Sequence, residues 1–175
     1  MPILVMVLSV ALHAAANGEA TADTPPPATG RHWGISIWGV SYHTNRRTDF
    51  EKANWGLGLR YSARPRWRWL GDEVDNRVFV EADALRNSNR GIVLPLSAGL
   101  EYRIARIAHR CGLFAVGAFT VAYYENPIME TTQIKYGPVP GVAIGCGRLK
   151  FNTSAVLSAS RVPLAALVGS MTILF

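Results

Sequence analysis

His43 and Ser88 are the two residues of this chain best suited to act together chemically. A histidine near a hydroxyl is the minimum needed to activate oxygen for acyl transfer, because the imidazole removes the proton as the oxygen attacks. Their separation in sequence decides nothing, since the fold brings such partners together. No G-x-S-x-G elbow surrounds Ser88, so an α/β-hydrolase is excluded. Cations gather around both residues. Arg46 and Arg47 follow His43, Lys52 comes later in the same loop, and Arg86 and Arg90 flank Ser88. Guanidinium groups suit a bidentate grip on phosphate, which makes Arg46, Arg47 and Arg90 candidate phosphate ligands. Ordinary charged surface loops are the competing account.

What must position these residues is a set of short strands. Of 175 residues, 49 % are hydrophobic, with 16 Gly and 10 Pro. Past the N-terminus no uncharged apolar run reaches the length of a transmembrane helix. Trp33, Ile35 and Ile37 alternate with Gly34, Ser36 and Trp38, and Trp55, Leu57 and Leu59 alternate with Gly56, Gly58 and Arg60. Val78, Val80 and Ala82 alternate with Phe79, Glu81 and Asp83, which puts both carboxylates on one face. Such strands suit a wall with lipid outside and polar contents inside.

Further segments at 92–104, 111–124, 138–146, 150–160 and 166–175 bring the count to eight. The expected fold is all-β, an eight-stranded antiparallel up-and-down transmembrane β-barrel. A soluble β-sandwich is the competitor on composition. The last segment alternates up to Phe175, and a strand ending in Phe resembles the insertion signal of bacterial outer-membrane barrels.

The ends of the chain and its cysteines bear on the compartment. Residues 1–16 read as a signal peptide, an apolar run from Pro2 to Leu12 followed by Ala14-Ala15-Ala16, though without a preceding Lys or Arg. Residues 17–30 are small, polar and Pro-rich, a leader to a single domain at 31–175. Cys111 opens the fifth strand and Cys146 closes the sixth, so both fall near one end of the barrel. A disulfide and two buried free thiols are both open at this point. The formal net charge is +6. No zinc spacing, helix-turn-helix or RNP sequence accompanies it, so the charge points to membrane phosphates and away from nucleic acid.

Strand parity then assigns the loops. Each odd-numbered strand ends on the outer side, placing His43–Ala53, Asn87–Gly91, Glu125–Gly137 and Arg161–Ala165 at one rim. His43 and Ser88 share that rim. Pro138 and Pro140 are expected to begin strand six, and Pro163 to sit at the junction of strands seven and eight. Proline cannot donate to a ladder, so these positions either end strands or leave gaps through which a lipid chain could enter sideways.

The order S-Y-H-T-N, a charged loop, N-W-G-L-G-L-R-Y, then L-R-N-S-N-R and P-L-S-A-G-L resembles the lipid A palmitoyltransferase (PagP) family. It is more similar to divergent relatives whose second motif carries R-N-S. The likeness extends over 38–175 through G-P-V-P-G-V-A-I-G-C-G, the Pro163 junction and the terminal Phe. The resemblance implies a monomeric barrel of the bacterial outer membrane that moves palmitate from a phospholipid to lipid A without metal or cofactor. His43 and Ser88 correspond to the family's functional His and Ser. Asn87 stands where the best-known members carry Asp, and completes the candidate catalytic set. Asn cannot take up charge, so the acid role is vacant or falls to another residue such as Asp49. A barrel that binds lipid without catalysis is the alternative function. The H-x-S-N motif of lipid A deacylases, also eight-stranded barrels, is not present.

Overall fold

A computed structural model of the chain describes residues 30–43, 53–65, 76–108, 111–157 and 164–175. The expected signal peptide, the Pro-rich stretch up to position 29, and Arg46, Arg47, Asp49, Lys52, Arg161 and Pro163 lie outside the described residues. Eight strands follow in chain order: β1 (Arg31–His43), β2 (Ala53–Ala63), β3 (Arg77–Arg86), β4 (Ile92–Ala108), β5 (Cys111–Asn126), β6 (Thr131–Cys146), β7 (Leu149–Leu157) and β8 (Leu164–Leu174). Each pairs antiparallel with its chain neighbour, and β1 pairs antiparallel with β8. The result is a closed, eight-stranded antiparallel up-and-down barrel.

Side-chain alternation sorts the wall into two chemically opposed faces. Outward positions are apolar and exposed, including Trp55 at 68 % and Leu57 at 62 %, with Trp33, Leu59, Leu94, Leu96 and Phe119. Many inward positions are polar and sealed, with Ser36 and Thr172 at 0 % and Glu101 at 1 %. A water-soluble domain has the reverse distribution.

The lower interior, away from His43, is filled by an ionic network. Arg60 donates to Glu81 at 3.0 Å and to Glu101 at 2.7 Å. Lys150 closes on the other oxygen of Glu101, and Ser36 bonds Glu81. Phe79 and Phe114 lie against the cations, with the Arg60 guanidinium 3.7 Å and the Lys150 ammonium 4.7 Å from their ring centres. Ser36 and Asn152 also share hydrogen bonds with Thr172, at 3.0 and 3.1 Å. The predicted charged face of the third strand, Glu81 and Asp83, is thus the inward one.

Three strands depart from the expected bounds: β4 runs on to Ala108, β8 begins at Leu164 within the expected loop, and β6 differs most. The stretch 131–137 is strand, not loop, and Pro138 and Pro140 lie in the middle of β6 instead of at its start. Its polar and Gly/Pro composition reads as a loop, but an unbroken ladder with β5, from Cys111↔Cys146 to Asn126↔Thr131, holds it extended. On the other side β6 pairs with β7 only over Gly141–Cys146. A continuous β5 ladder through both prolines leaves their missing N–H groups on the β7 side, where the pairing stops. Among the described residues the wall is therefore interrupted where 138–140 of β6 face 155–157 of β7 without pairing. At the opposite end Cys111 and Cys146 face each other across β5 and β6 and form a disulfide, which settles the alternative of two free thiols.

Candidate active site

His43 reaches the interior because β1 is irregular. The pairing of β1 shifts register between Trp38 and Val40 against both β2 and β8. Before the shift the even positions His32, Gly34 and Ser36 are the buried ones. After it Ser41 is buried and Tyr42 is exposed. Gly39 occupies the shift. The irregularity turns the inward face from even to odd positions, and His43 follows Ser41 onto it.

Ser88 arrives from the β3–β4 turn, which Asn87 builds. The Asn87 side-chain oxygen accepts from Asn89 N at 2.8 Å and Gly91 N at 2.9 Å, while its amide donates to the Glu125 carbonyl at 2.6 Å. The backbone closes with Asn87 N to Gly91 O at 2.8 Å and Arg90 N to Asn87 O at 3.0 Å. Arg90 is exposed and takes a left-handed backbone, φ 69°. Gly91 is required by close approach, since a Cβ there would lie 2.3 Å from the Glu125 carbonyl oxygen.

These elements bring His43 Nε2 within 2.6 Å of Ser88 Oγ. Two more side chains complete the cluster. Asn54, buried near the start of β2, donates from Nδ2 to Ser41 Oγ at 2.7 Å and to Ser88 Oγ at 3.2 Å. Ser41 Oγ stands 3.3 Å from His43 Nε2 and 3.4 Å from Ser88 Oγ. With Nδ1 protonated, Nε2 accepts the Ser88 hydroxyl proton, and the Asn54 amide supplies a donor beside the same oxygen. That combination of base, hydroxyl and fixed N–H is what acyl transfer uses: one group to move a proton, another to steady the developing oxyanion.

The cluster stands at the mouth of a cavity of about 540 Å³. Its wall carries Val93, Pro95, Ala118, Val139 and Val168, and its floor is Trp38, Arg60 and Asp83. Trp38 Nε1 donates to Asp83 at 2.8 Å, closing the floor onto the ionic network. Among the described residues the cavity's lining runs from this floor to His43, Asn87 and Tyr124. It also reaches the interrupted wall through Gly137, Pro138 and Leu157.

Of the sequence candidates, His43 and Ser88 come together and Arg90 lies on the Ser88 turn. Arg46 and Arg47 belong to the undescribed loop. Asn87 adjoins the pair in sequence, but its amide is spent on the turn and on Glu125. An ionised carboxylate there would set oxygen against the Glu125 carbonyl, replacing a hydrogen bond with repulsion. Asn87→Asp is therefore expected to loosen the turn, costing about 1–3 kcal/mol of stability. Comparing urea unfolding midpoints of the two proteins tests this, and an unchanged midpoint refutes it. Ser41 and Asn54 were not singled out from the sequence. The i, i+2 spacing of Ser41 and His43, and an asparagine opening the return strand, were the available signals. No protein-family model matches the chain, and no curated protein matches it significantly.

Proposed function

We propose that the protein is an acyltransferase of the bacterial outer membrane that moves an acyl chain from a phospholipid to lipid A. The observation carrying this reading is the 2.6 Å contact of His43 Nε2 with Ser88 Oγ at the mouth of a largely apolar chamber. An apolar chamber beside a base and a hydroxyl suits an enzyme that holds an acyl chain with its ester at the proton carrier. The apolar outer face supports insertion in a bilayer, and the eight-stranded barrel fits an outer-membrane protein. The β6–β7 interruption supports sideways entry of the donor's chain from that bilayer.

In this reading the donor's acyl chain fills the chamber with its ester at the His43–Ser88 cluster. An acceptor hydroxyl of lipid A attacks the ester carbon and gives its proton to His43 Nε2. The carbonyl electrons shift to oxygen, where the Asn54 amide and the Ser88 hydroxyl donate. Collapse breaks the bond to glycerol, and the departing oxygen takes the proton from the imidazolium. The products are acylated lipid A and a lysophospholipid. His43 is the general base and then the acid. Ser88 holds and polarises the reacting oxygens, and Arg90 stands on the same turn for the acceptor's phosphate, joined in this reading by Arg46 and Arg47.

Mass analysis of lipid A from cells expressing the full chain is the direct test. The expected result is a gain of one acyl group together with accumulation of lysophospholipid. Unchanged lipid A, with a folded barrel that still retains a bound phospholipid, would replace this reading with that of a non-catalytic lipid-binding barrel.

A further inference from the structure

β6 carries a cation three residues from Pro138, toward the rim from the described interruption of the wall. Lys135 lies on the stretch of β6 that pairs with β5, opposite Ala122, and not with β7. Its ammonium sits 3.7 Å from the centre of the Tyr124 ring. Tyr124 in turn accepts a hydrogen bond from Asn89 Nδ2 at 3.0 Å, and Asn89 directly follows Ser88. Lys135, Tyr124, Asn89, Ser88 and His43 all line the one chamber.

Lys135 differs in kind from the lysine of the ionic network. Lys150 is buried and neutralised by Glu101, whereas Lys135 is exposed and has no carboxylate partner among the described residues. A ring face occupies one side of an ammonium and leaves N–H donors for an anion on the other.

We propose that Lys135 holds the phosphate of the donor glycerophospholipid while that lipid's acyl chain fills the chamber. This rests on the acyl-transfer reading above. A lipid whose chain enters between β6 and β7 beside Pro138 leaves its phosphodiester toward the rim, and Lys135 stands three residues further along β6 in that direction. Chain site and charge site belong to one cavity, so one molecule satisfies both. The lysine is a compact charge with no demand for fork geometry. It therefore selects for the phosphate and not for the group esterified beyond it, so ethanolamine and glycerol headgroups serve alike. Lys135 is a positioning residue: it fixes where the ester lies relative to His43 and touches no reacting atom.

The test compares the full-length barrel with Lys135→Gln and Lys135→Arg, using phosphatidylglycerol, phosphatidylethanolamine and a diacylglycerol of the same chains as donors. With either phospholipid, Lys135→Gln is expected to raise KM about tenfold with kcat changed less than about twofold, the pattern of lost uniform binding. KM for diacylglycerol stays the same, and Lys135→Arg restores the phospholipid value. Equal changes for charged and uncharged donors overturn the proposal, and so does a shift in KM for lipid A instead. If the native barrel transfers no acyl group, the acyl-transfer reading fails by itself and lipid retention decides about Lys135. Native mass spectrometry after equilibration with equal phosphatidylglycerol and diacylglycerol then shows whether phosphatidylglycerol is preferred and whether Lys135→Gln abolishes the preference. The same preference in both proteins, or displacement by inorganic phosphate with no lipid held, overturns it.

Discussion

His43→Ala is expected to lower acyl transfer to lipid A by about 10²–10⁴-fold, the usual contribution of a positioned general base. The barrel should remain folded, because His43 is the last residue of β1 and its contacts with Ser41 and Ser88 are polar and local to the mouth. Ser88→Ala should fall by a similar factor, and the double variant should be little worse than either single one. Residues acting as one unit lose the same stabilisation only once. The pH dependence has a definite sign. Nε2 accepts a proton only when the imidazole is neutral, so the native rate falls as acid protonates the ring, and this acid limb vanishes in His43→Ala. Lipid A mass analysis together with a pH–rate profile checks both points. Activity within tenfold of native in His43→Ala, with the acid limb retained, would remove His43 from the chemistry.

Why the pair could be anticipated from sequence, and its surroundings could not, follows from what period-2 patterns encode. Alternation depends only on which face is apolar, and it marks eight strands and the inward face of β3. Strand parity then needs only the count to place His43 and Ser88 at one rim. Parity does not say which way a side chain points. Carried through Gly39, strict alternation puts His43 on the same face as Trp33 and Ile35, outside the barrel, with Tyr42 inside. The register shift between Trp38 and Val40 reverses this, and no apolar pattern announces a shift that both neighbouring strands absorb. The break in the local rule falls at the functional residue, where such breaks are expected. β6 was obscured for another reason. A Thr-, Gly- and Pro-rich stretch has the composition of a loop, and only its long-range ladder to β5 makes it a strand. Asn87 joined the candidate set because the family resemblance puts Asp at its position. Its three side-chain hydrogen bonds, to Glu125, Asn89 and Gly91, are visible only once the turn is closed.

Removing the guanidinium at the centre of the ionic network should destabilise the barrel more than any change at its mouth. Arg60 is 3 % exposed and is shared between Glu81 and Glu101, themselves 7 % and 1 % exposed. In Arg60→Met both carboxylates lose a partner. Glu101 keeps Lys150, while Glu81 keeps hydrogen bonds with Ser36 and Asp83 but no cation among the described residues. Leaving a buried charge unpaired costs about 3–5 kcal/mol, far more than the net worth of an intact pair. A large drop in the urea midpoint, and loss of the compact electrophoretic form at a lower temperature, are the expected readings. Adding Glu81→Gln should recover much of the loss, because the charge left stranded is then gone. The same double change tests the network's other role. Arg60 forms part of the chamber floor, so a refolded Arg60→Met, Glu81→Gln barrel should admit chains deeper and accept longer acyl groups. A midpoint unchanged by Arg60→Met would mean that water reaches these carboxylates and that the chamber is not closed from below.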